Sequence, residues 1–526
     1  MTNNRAPGFD NIAVELIKYA PDCILTEIAE ILNTAIETHQ PIQLGRGQLA
    51  ALWKPGKTKG PPLHLRPIIL LTILRKILSN TTLNRIKPNI DNYLSASQSA
   101  YRPNRSTTDI VWSYRWMLAK IQRYNDLELF VTGLDMSSAF DTINRQKLLN
   151  VLSEFINEDE LRMIRLLLSN TTLEVKISGV QAEPFQTNVG SPQGDGISGP
   201  LYNVYFESSL REMRILITYP TPTPHQDHDY ANTVDTTNDH DYSTPSNFPD
   251  EMIYADDSDF IGNSKAHQAS IDIIAPVKLK QNNLNVNTTK TEHLTLNRGN
   301  RDTERWRSAK KLGSLLGDVE DIARRKQLSI VAMHNMNKVW LKKQTHVRIH
   351  TRLKLFTVLV KSVLLYNCAC WGLRKTDIKL LNSFHRQLLR RMLRIFWPQK
   401  ISSKQLYRST KTQPIIIDIT KARWRYFGHA LRLPNDSPPK KAMKWFFMPE
   451  LFNQQASGAK RTTIVTTLQA DIKNTIEKFP NFEIRSLDSL TGYNNICQIA
   501  SDRLRWKRIS KSVVDSVKAK YSILLD

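Results

Sequence analysis

Short apolar runs separated by polar corners are the clearest pattern along this chain. Residues 252–254 and residues 260–261 are apolar and flank an acidic corner at residues 255–257. Runs of this length predict two strands joined by a hairpin turn at the tip of a sheet. A further apolar run, residues 129–134, predicts a buried strand that ends in Asp135. The pattern therefore predicts antiparallel strands, with helices packed on one face of the sheet.

Helical periodicity is visible in two stretches. Residues 142–155 follow a helical pattern, and Asp141 just before them is interpreted as the residue that caps this helix. Between Ile378 and Phe396, apolar residues recur at intervals of three and four, which predicts a longer helix with basic residues on its other faces. That basic surface has two open interpretations, a solvated face and a groove for nucleic acid.

The adjacent carboxylates of Asp256 and Asp257 carry a chemical implication. Two like charges so close are costly unless a metal ion or a proton neutralises them, and hard divalent cations prefer such oxygen ligands. Asp135 adds a third carboxylate at the end of a strand, where it can complete a metal site with a neighbouring hairpin. Acidic hairpin turns also form for local hydrogen-bonding reasons, so the corner by itself leaves an ordinary turn open.

A series of short blocks covers most of the chain. They lie at residues 4–18, 53–57, 65–68, 98–109, 129–135, 190–203, 254–257, 287–292 and 311–314. In content and order these blocks resemble the reverse transcriptase of a non-LTR (LINE-type) retrotransposon. Residues 364–371 and 425–429 are similar to recurrent blocks in the C-terminal region of LINE proteins, to which they assign no chemistry.

The resemblance implies an RNA-directed DNA polymerase that copies an RNA template by adding dNTPs to a DNA primer or target DNA. It implies that Asp135, Asp256 and Asp257 hold two Mg²⁺ ions, for which Mn²⁺ can substitute. These ions would activate the primer 3′-hydroxyl and neutralise the departing pyrophosphate. No protein nucleophile is needed for such a reaction.

The resemblance also implies nucleotide-binding residues. Phe140 matches the aromatic ring under the incoming sugar, where an apolar wall rejects a ribose 2′-hydroxyl. Gln193 and Gly194 match the segment that contacts the incoming nucleotide, and glycine allows the backbone to come close. The structural alternative for Phe140 is an ordinary core aromatic, and the alternative for Gln193 and Gly194 is a plain turn.

Other family positions are cationic or lie beside the primer. Lys290 resembles the lysine near the leaving group, and an ordinary exposed lysine is its alternative. The turn of the primer grip corresponds to Leu312 and Gly313, for which a simple loop remains open. Three arginines match fingers positions of the family that contact the triphosphate or the template backbone. They are Arg66, Arg102 and Arg105.

Composition agrees with a nucleic-acid partner. The chain has 73 Lys and Arg against 49 Asp and Glu, a formal charge of +24, which favours attraction to a polyphosphate. Its 4 cysteines argue against a disulfide scaffold, and no apolar run approaches membrane-spanning length. These features predict an intracellular protein without a membrane partner, and the family's copying at chromosomal DNA implies the nucleus.

The implied fold is α+β, a right-hand polymerase followed by a mainly helical, basic C-terminal region. We expect fingers at residues 1–130, a palm with an antiparallel sheet at residues 131–300, a primer grip and thumb at residues 301–350, and the C-terminal region at residues 351–526. A polar insertion is expected at residues 219–250. The insertion contains no cysteines and its histidines do not follow a regular ligand spacing, which argues against a metal site there.

Alternatives to an active polymerase of this type remain open. No endonuclease region is recognisable and the chain starts inside the first block, so a truncated fragment of a longer protein is one expectation. A catalytically inactive nucleic-acid-binding relic is another. RNA-copying RNA polymerases and intron-encoded maturases share the metal chemistry, and a preference for rNTPs would favour the former. Gly199 stands where the family often has proline.

Overall fold

The structure is a computed structural model that describes most of the chain. The described residues are 2–38, 43–54, 56, 58–61, 64–137, 139–177, 180–218, 247–300, 302–340, 347–450 and 453–522. Several sequence-based expectations fall outside them, at Pro55 and Lys57 and over most of the polar insertion, including its histidines His225, His228 and His240.

The described residues of the N-terminal part form four α-helices and two strands. They are α1 (Val14–Lys18), α2 (Asp22–Thr38), β1 (Arg46–Trp53), β2 (Leu65–Leu71), α3 (Ile73–Tyr93) and α4 (Thr107–Ile121). The long helix α4 begins at a capping box, in which the side chains of Ser106 and Asp109 pair with each other's backbone amides.

The central part alternates strands and helices. Its elements are β3 (Leu129–Leu134), β4 (Met136–Ser137), α5 (Arg145–Ser153), α6 (Glu158–Leu168), β5 (Thr171–Ile177), β6 (Val180–Gln181), β7 (Phe185–Thr187), α7 (Ser198–Thr218), β8 (Glu251–Tyr254), β9 (Asp257–Gly262), α8 (Lys265–Gln281), β10 (Asn285–Val286), β11 (Glu292–Leu296), β12 (Lys310–Lys311), β13 (Ser314–Leu315) and α9 (Asp318–Asn335).

The C-terminal part is helical. It contains α10 (Asn337–Trp340), α11 (Ile349–Phe356), α12 (Ser362–Leu364), α13 (Lys375–Leu393), α14 (Ser403–Thr410), α15 (Ile415–Leu431), α16 (Pro438–Phe447), α17 (Ile464–Lys478), α18 (Leu490–Ser501) and α19 (Arg503–Ala519). The α+β class and the helical character of the C-terminal region are thereby confirmed.

Two sheets organise the first half. One has the order β2-β1-β5-β6, with β7 also paired to β5, and combines antiparallel β1–β2 with parallel β1–β5. The other has the order β11-β3-β9-β8 and is antiparallel throughout. The second sheet agrees with the expected antiparallel palm.

Both faces of the antiparallel sheet are covered, so the expectation of helices on one face was wrong. Every residue of β3 is buried, as is typical of a strand between two layers. Val131 and Ile261 join a core with α4, whereas Leu134 and Phe260 join a second core with α7 and α8. Because side chains alternate along a strand, each strand contributes to both cores.

The core around α4 unites distant parts of the sequence. Trp112 and Trp116 of α4 are fully buried and pack with Phe427 of α15 and Phe446 of α16. Lys120 donates from Nζ to the backbone carbonyl of Trp445 at 2.7 Å. Residues assigned to the fingers from sequence therefore share one core with the C-terminal helices, and the domain boundaries stay predictions.

Two helix boundaries differ from expectation. The helix expected over residues 142–155 is α5, which begins at Arg145 because the Asn144 side chain accepts from the amide of Lys147. The capping role assigned to Asp141 was therefore wrong. The helix expected to reach Phe396 is α13, which ends at Leu393. Within the described part of the chain, no helix is long and apolar enough to cross a membrane.

Substitution of Gly428 tests the shared core. A Cβ at Gly428 in α15 would collide with the indole of Trp506 in α19. We expect Gly428→Ala to destabilise the protein by about 1–3 kcal/mol, because an overpacked core must distort. The measurement is the urea midpoint followed by tryptophan fluorescence. Gly196→Ala is the control, since its Cβ would meet only the Asn80 side chain, at 3.4 Å. Equal midpoints for both variants would contradict the tight packing.

Candidate active site

Strand pairing places Asp135 beside the acidic hairpin. In the antiparallel register of β3 and β9, Gly133 pairs with Asp259 and Leu134 pairs with Ser258. Asp135 follows Leu134 directly and lines the same cleft as Asp257. The backbone carbonyl of Asp135 also accepts from the amide of Asn287 at 2.8 Å. The strand that ends in an acid, predicted from its apolar run, is thereby confirmed as a neighbour of the hairpin.

The hairpin turn has an unusual backbone that a buried side chain supports. Ala255 has φ 57°, in the left-handed region that non-glycine residues rarely adopt. Gln98 is buried, and its Oε1 accepts from the amide of Ala255 at 3.1 Å and from that of Ala100 at 2.9 Å. The amide of Ser99 donates to the carbonyl of Ile253 at 2.9 Å. The supporting role of Gln98 was missed from sequence, since nothing local links it to the turn.

The three carboxylates influence one another. Burial, together with the charges of Asp256, Asp259 and Asp135, raises the pKa of Asp257 to about 6. Burial likewise raises the pKa of Asp256, to which the charge of Asp135 contributes. The site therefore holds more negative charge than it can solvate, and a cation placed there would relieve the repulsion.

One cation already lies at the site. The Nζ of Lys290 is 3.0 Å from Oδ2 of Asp135, and the lysine side chain is two-thirds exposed. Among the residues that the structure describes, no three acidic, histidine or cysteine side chains are gathered into a metal-binding cluster. The donor set of Asp135, Asp256 and Asp257 nevertheless fits a hard divalent cation, because it consists of carboxylate oxygens that repel each other.

A cleft joins several of the predicted site residues. Its volume is about 590 Å³, and its lining includes Asp135, Asp257, Lys290, Leu312 and Gly313. The two-residue turn between β12 and β13 has φ 45° at Leu312 and 82° at Gly313. Positive φ at both positions is the geometry of a tight hairpin turn, for which glycine is favoured. The tight bend expected at this place is present.

A buried ion pair fastens this turn to the sheet. The Nζ of Lys311 lies 2.7 Å from Oδ1 of Asp259 and 3.2 Å from Oε2 of Glu292. The hydroxyl of Tyr114 in α4 donates to the other oxygen of Asp259 at 2.7 Å. A Cβ at Gly133 would lie 2.9 Å from both Lys311 Nζ and Asp259 Oδ1, so glycine leaves room for the pair.

Electrostatics keep this pair charged. Burial lowers the pKa of Lys311, but the charges and hydrogen bonds of Asp259 and Glu292 together outweigh burial, so the pKa lies above its usual value. Burial and the charge of Asp259 raise the pKa of Tyr114 well above its usual value, so the hydroxyl stays a donor. The sequence contains no local signal for this network, because its members lie on four separate elements, α4, β9, β11 and β12.

Among the predicted nucleotide-binding residues, Phe140 contacts a tyrosine of α7. Phe140 is half-buried, and its ring packs on that of Tyr202 with centroids 4.9 Å apart. Burial raises the pKa of Tyr202 well above its usual value, and the charge of Asp256 adds to this, which places Tyr202 close to the hairpin. The structure thus brings Phe140 close to the acidic residues.

The segment with Gln193 and Gly194 packs on the edge of β2. The carbonyl of Gln193 accepts from the amide of Ile69 at 2.7 Å. Gly194 has φ 117°, and a Cβ there would lie 2.6 Å from the carbonyl oxygen of Ile69. Glycine is therefore required by this approach between two backbones, and contact with a nucleotide stays a prediction.

The three arginines assigned to the fingers from sequence differ in environment. Arg66 is exposed on β2. Arg102 is engaged within the protein, since it bonds to Asp91 at 2.7 Å and to the carbonyls of Ser95 and Gln98. Of the three, Arg66 presents its charge to solvent most openly.

Arg105 lies in a polar pocket between α4 and α15. Burial lowers the pKa of Arg105, and the nearby charge of Asp109 raises it. The hydroxyl of Tyr426 donates to Asp109 at 2.7 Å, which ties the C-terminal region to this pocket. The phosphate contacts expected for the three arginines stay predictions.

Gly199 has a packing reason for departing from the expected proline. A Cβ at Gly199 would lie 2.7 Å from the ring of Tyr101. The charge of Asp256 contributes to the raised pKa of Tyr101 after burial, so this tyrosine lies near the acidic hairpin. The glycine therefore makes space for an aromatic ring beside the candidate site.

Removal of the Lys311 side-chain charge tests the buried network. We expect Lys311→Met to destabilise the protein by about 3–5 kcal/mol, because the Asp259 carboxylate would lose its buried partner. Chemical unfolding measures the loss, and Lys310→Met, at an exposed neighbouring lysine, is the matched control. The double variant Lys311→Met/Asp259→Asn should recover part of the loss. A Lys311→Met protein as stable as the control would contradict the network.

Comparisons with known proteins agree with this geometry. The family model described as "Reverse transcriptase (RNA-dependent DNA polymerase)" matches residues 54–317, which is half of the chain. The transposon TX1 uncharacterized 149 kDa protein of Xenopus laevis is 26% identical over 220 residues, which cover 41% of this chain and 17% of that protein. The probable RNA-directed DNA polymerase from transposon X-element of Drosophila melanogaster is 24% identical over 211 residues, 39% of this chain and 23% of that protein.

Solved structures with some likeness are telomerases. Telomerase from Candida albicans in complex with a fragment of telomeric RNA is 9% identical, with a TM-score of 0.36 and coverage of 82% of this chain and 69% of that chain. Apo telomerase from Candida tropicalis is 12% identical, with a TM-score of 0.34 and coverage of 73% and 74%. TM-scores this low do not show that two proteins share a fold, so the family assignment depends on the sequence matches. Those matches confirm the expected kinship: the chain belongs to the reverse transcriptase family and is of the non-LTR retrotransposon type.

Proposed function

We propose that this chain is an RNA-directed DNA polymerase that adds dNTPs to the 3′-hydroxyl of a DNA primer or of target DNA. The observation that carries the proposal is the placement of Asp135 beside the Asp256–Asp257 hairpin, in a cleft with Lys290 and the Leu312–Gly313 turn. The chain spans only 17% and 23% of the two relatives' lengths, so the activity is proposed for this chain and not transferred from them.

The three carboxylates would hold divalent cations. The family generally uses such ions, and we propose two Mg²⁺, or Mn²⁺ in their place, bound by Asp135, Asp256 and Asp257. When bound, these ions would supply charge stabilisation at the phosphates and lower the pKa of the primer hydroxyl. The raised pKa of Asp257, about 6, supports this role, because a carboxylate crowded by like charges gains most from a cation.

Other residues would bind and orient the substrates. Lys290, freed from Asp135 when a cation takes its place, could reach the leaving pyrophosphate, for which an exposed lysine beside the cleft is well placed. The Leu312–Gly313 turn would position the primer backbone, since the buried Lys311–Asp259 pair fixes it against the sheet. Gln193 and Gly194 would contact the nucleotide, and Arg66, Arg102 and Arg105 would contact phosphates of the nucleotide or template.

The proposed partners follow from this chemistry. They are an RNA template, a DNA primer or target DNA, and dNTPs, all polyanions that suit a chain of formal charge +24. We further propose that copying takes place at chromosomal DNA, and therefore in the nucleus. Fingers, palm and thumb remain our interpretation of residues 1–350.

Primer extension tests the activity. With purified protein, a DNA primer on an RNA template, dNTPs and Mg²⁺, we expect incorporation that Asp256→Asn reduces by at least about 10³-fold, since a lost cation ligand removes charge stabilisation. Asp272→Asn is the control, because Asp272 bonds to His293 away from the cleft. If a folded wild-type chain binds primer-template but incorporates nothing, the chain is a binding relic or an incomplete part of a longer enzyme.

Sugar selection tests the role of Phe140. We expect Phe140→Ala to raise the use of rNTPs relative to dNTPs by about tenfold or more, because a smaller side chain admits the 2′-hydroxyl. The assay compares kcat/KM for one rNTP and its dNTP. Phe155→Ala removes a half-buried ring that stacks on Tyr93 outside the site, and it should leave the ratio unchanged. An unchanged ratio in Phe140→Ala would reject the proposed role, and a wild-type preference for rNTPs would point to an RNA polymerase.

A further inference from the structure

The segment from α13 to α14 carries positive charge without compensation. Residues 378–417 contain nine Lys and Arg and no Asp or Glu. The acids that flank this segment are already paired, Asp377 with Arg374 at 3.0 Å and Asp418 with Lys361 at 2.8 Å. Among the described residues, none of the nine cations forms an ion pair within the protein. Such a surface attracts a polyanion.

Two aromatic side chains are exposed in the middle of this charge. Trp397 is 87% exposed and Phe396 is 51% exposed, in the loop that connects the two helices. A tryptophan left almost entirely in water gains nothing for folding, because its apolar surface is not buried. Rings with free faces among arginines and lysines are the combination on which unpaired bases stack.

The loop that carries these rings is tied at both ends. Helix α13 ends where Arg394 adopts φ 64°, a left-handed conformation usually given to glycine. The amide of Gln399 donates to the carbonyl of Phe396 at 2.8 Å, which forms a tight turn. Arg390 donates to the carbonyl of Ile401 at 3.4 Å, and Ser402 caps α14. The rings therefore project from a formed turn, which reduces the ordering cost of binding.

We propose that Phe396, Trp397 and the surrounding cations Arg390, Arg394 and Lys400 form a docking surface for single-stranded RNA. Unpaired bases would stack on the two rings and phosphates would neutralise the cations. Duplex nucleic acid fits less well, because its bases already stack on one another. The choice of RNA depends on the proposed function, in which an RNA template reaches the protein as a single strand.

Equilibrium binding to the full chain tests the surface. The probe is a fluorescently labelled 20-nucleotide single-stranded RNA of mixed sequence, in EDTA and without dNTPs, so that no polymerisation is required. We expect Trp397→Ala to weaken binding about tenfold, the range for loss of one stacked base. Trp397→Phe should retain most of the affinity. Trp397→Leu should weaken RNA binding as much as Trp397→Ala does, because leucine keeps apolar bulk but has no ring on which a base can stack.

Charge is tested separately with a matched pair. Lys400→Glu should weaken RNA binding about fivefold and flatten its salt dependence, because phosphate contacts set that slope. Lys473→Glu changes an exposed lysine of α17 and should have no effect. RNA should also quench tryptophan emission in the wild type more than in Trp397→Phe. All these side chains are exposed or lie on the surface loop, so the variants should fold.

Several outcomes would overturn the proposal. They are unchanged RNA affinity in Trp397→Ala, equal affinities of the leucine and phenylalanine variants, or tighter binding to single-stranded DNA, duplex RNA or phosphatidylserine vesicles through the same residues. The result is separable from the polymerase activity. A chain inert in primer extension that still binds RNA through Trp397 would contradict the proposed enzyme and leave this surface intact. An active polymerase whose RNA binding ignores Trp397 would refute the surface alone.

Discussion

The antiparallel register between β3 and β9 is the constraint on which the candidate site depends. It places Gly133 opposite Asp259 and Leu134 opposite Ser258, so that Asp135, the next residue, lines the same cleft as Asp257. A slip of one residue would turn every side chain of the strand to the other face of the sheet. Because one face packs on α4 and the other on α7 and α8, such a slip would put apolar residues of both cores in the wrong layer. Hydrophobic burial on both faces of the sheet thus specifies where the carboxylates of Asp135, Asp257 and Asp259 lie.

The same two-sided burial links the site to distant parts of the chain. Tyr114 of α4 donates to Asp259, which also pairs with Lys311 beside the Leu312–Gly313 turn. Helix α4 is in turn buried against α15 and α16 through its tryptophans. The C-terminal helices therefore support the cleft through a continuous path of contacts, although their surface carries a different proposed role in RNA docking.

Features that depend on residues close together in sequence could be predicted better than features that depend on distant residues. The strand before Asp135 and the hairpin at Asp256 were predictable because apolar runs and a polar corner are local signals. Asp141 was misassigned as a cap because Asn144, three residues later, can accept the same hydrogen bond and is the residue that caps the helix. The helix at α13 was predicted too long, since periodicity continues past the left-handed Arg394 that ends it.

Long-range features could not be predicted in this way. Gln98 supports Ala255 from more than 150 positions away, and Lys311 meets Asp259 across a separation of 52 residues. The layer of C-terminal helices against α4 has no signal in either segment alone, since a buried tryptophan and an exposed one look the same in sequence. The clearest contrast is between Trp112, fully buried, and Trp397, almost fully exposed.

Iron-directed backbone cleavage would test the central claim that Asp135 and the hairpin form one divalent cation site. Fe²⁺ bound in place of Mg²⁺ generates hydroxyl radicals with ascorbate and peroxide, which cut the chain near the ion. We expect cuts near residue 135 and near residues 255–257 in the same protein. Excess Mg²⁺ should suppress both cuts, and both should disappear in Asp135→Asn. Cleavage at only one of the two places, or cleavage at the hairpin that persists in Asp135→Asn, would contradict a shared site.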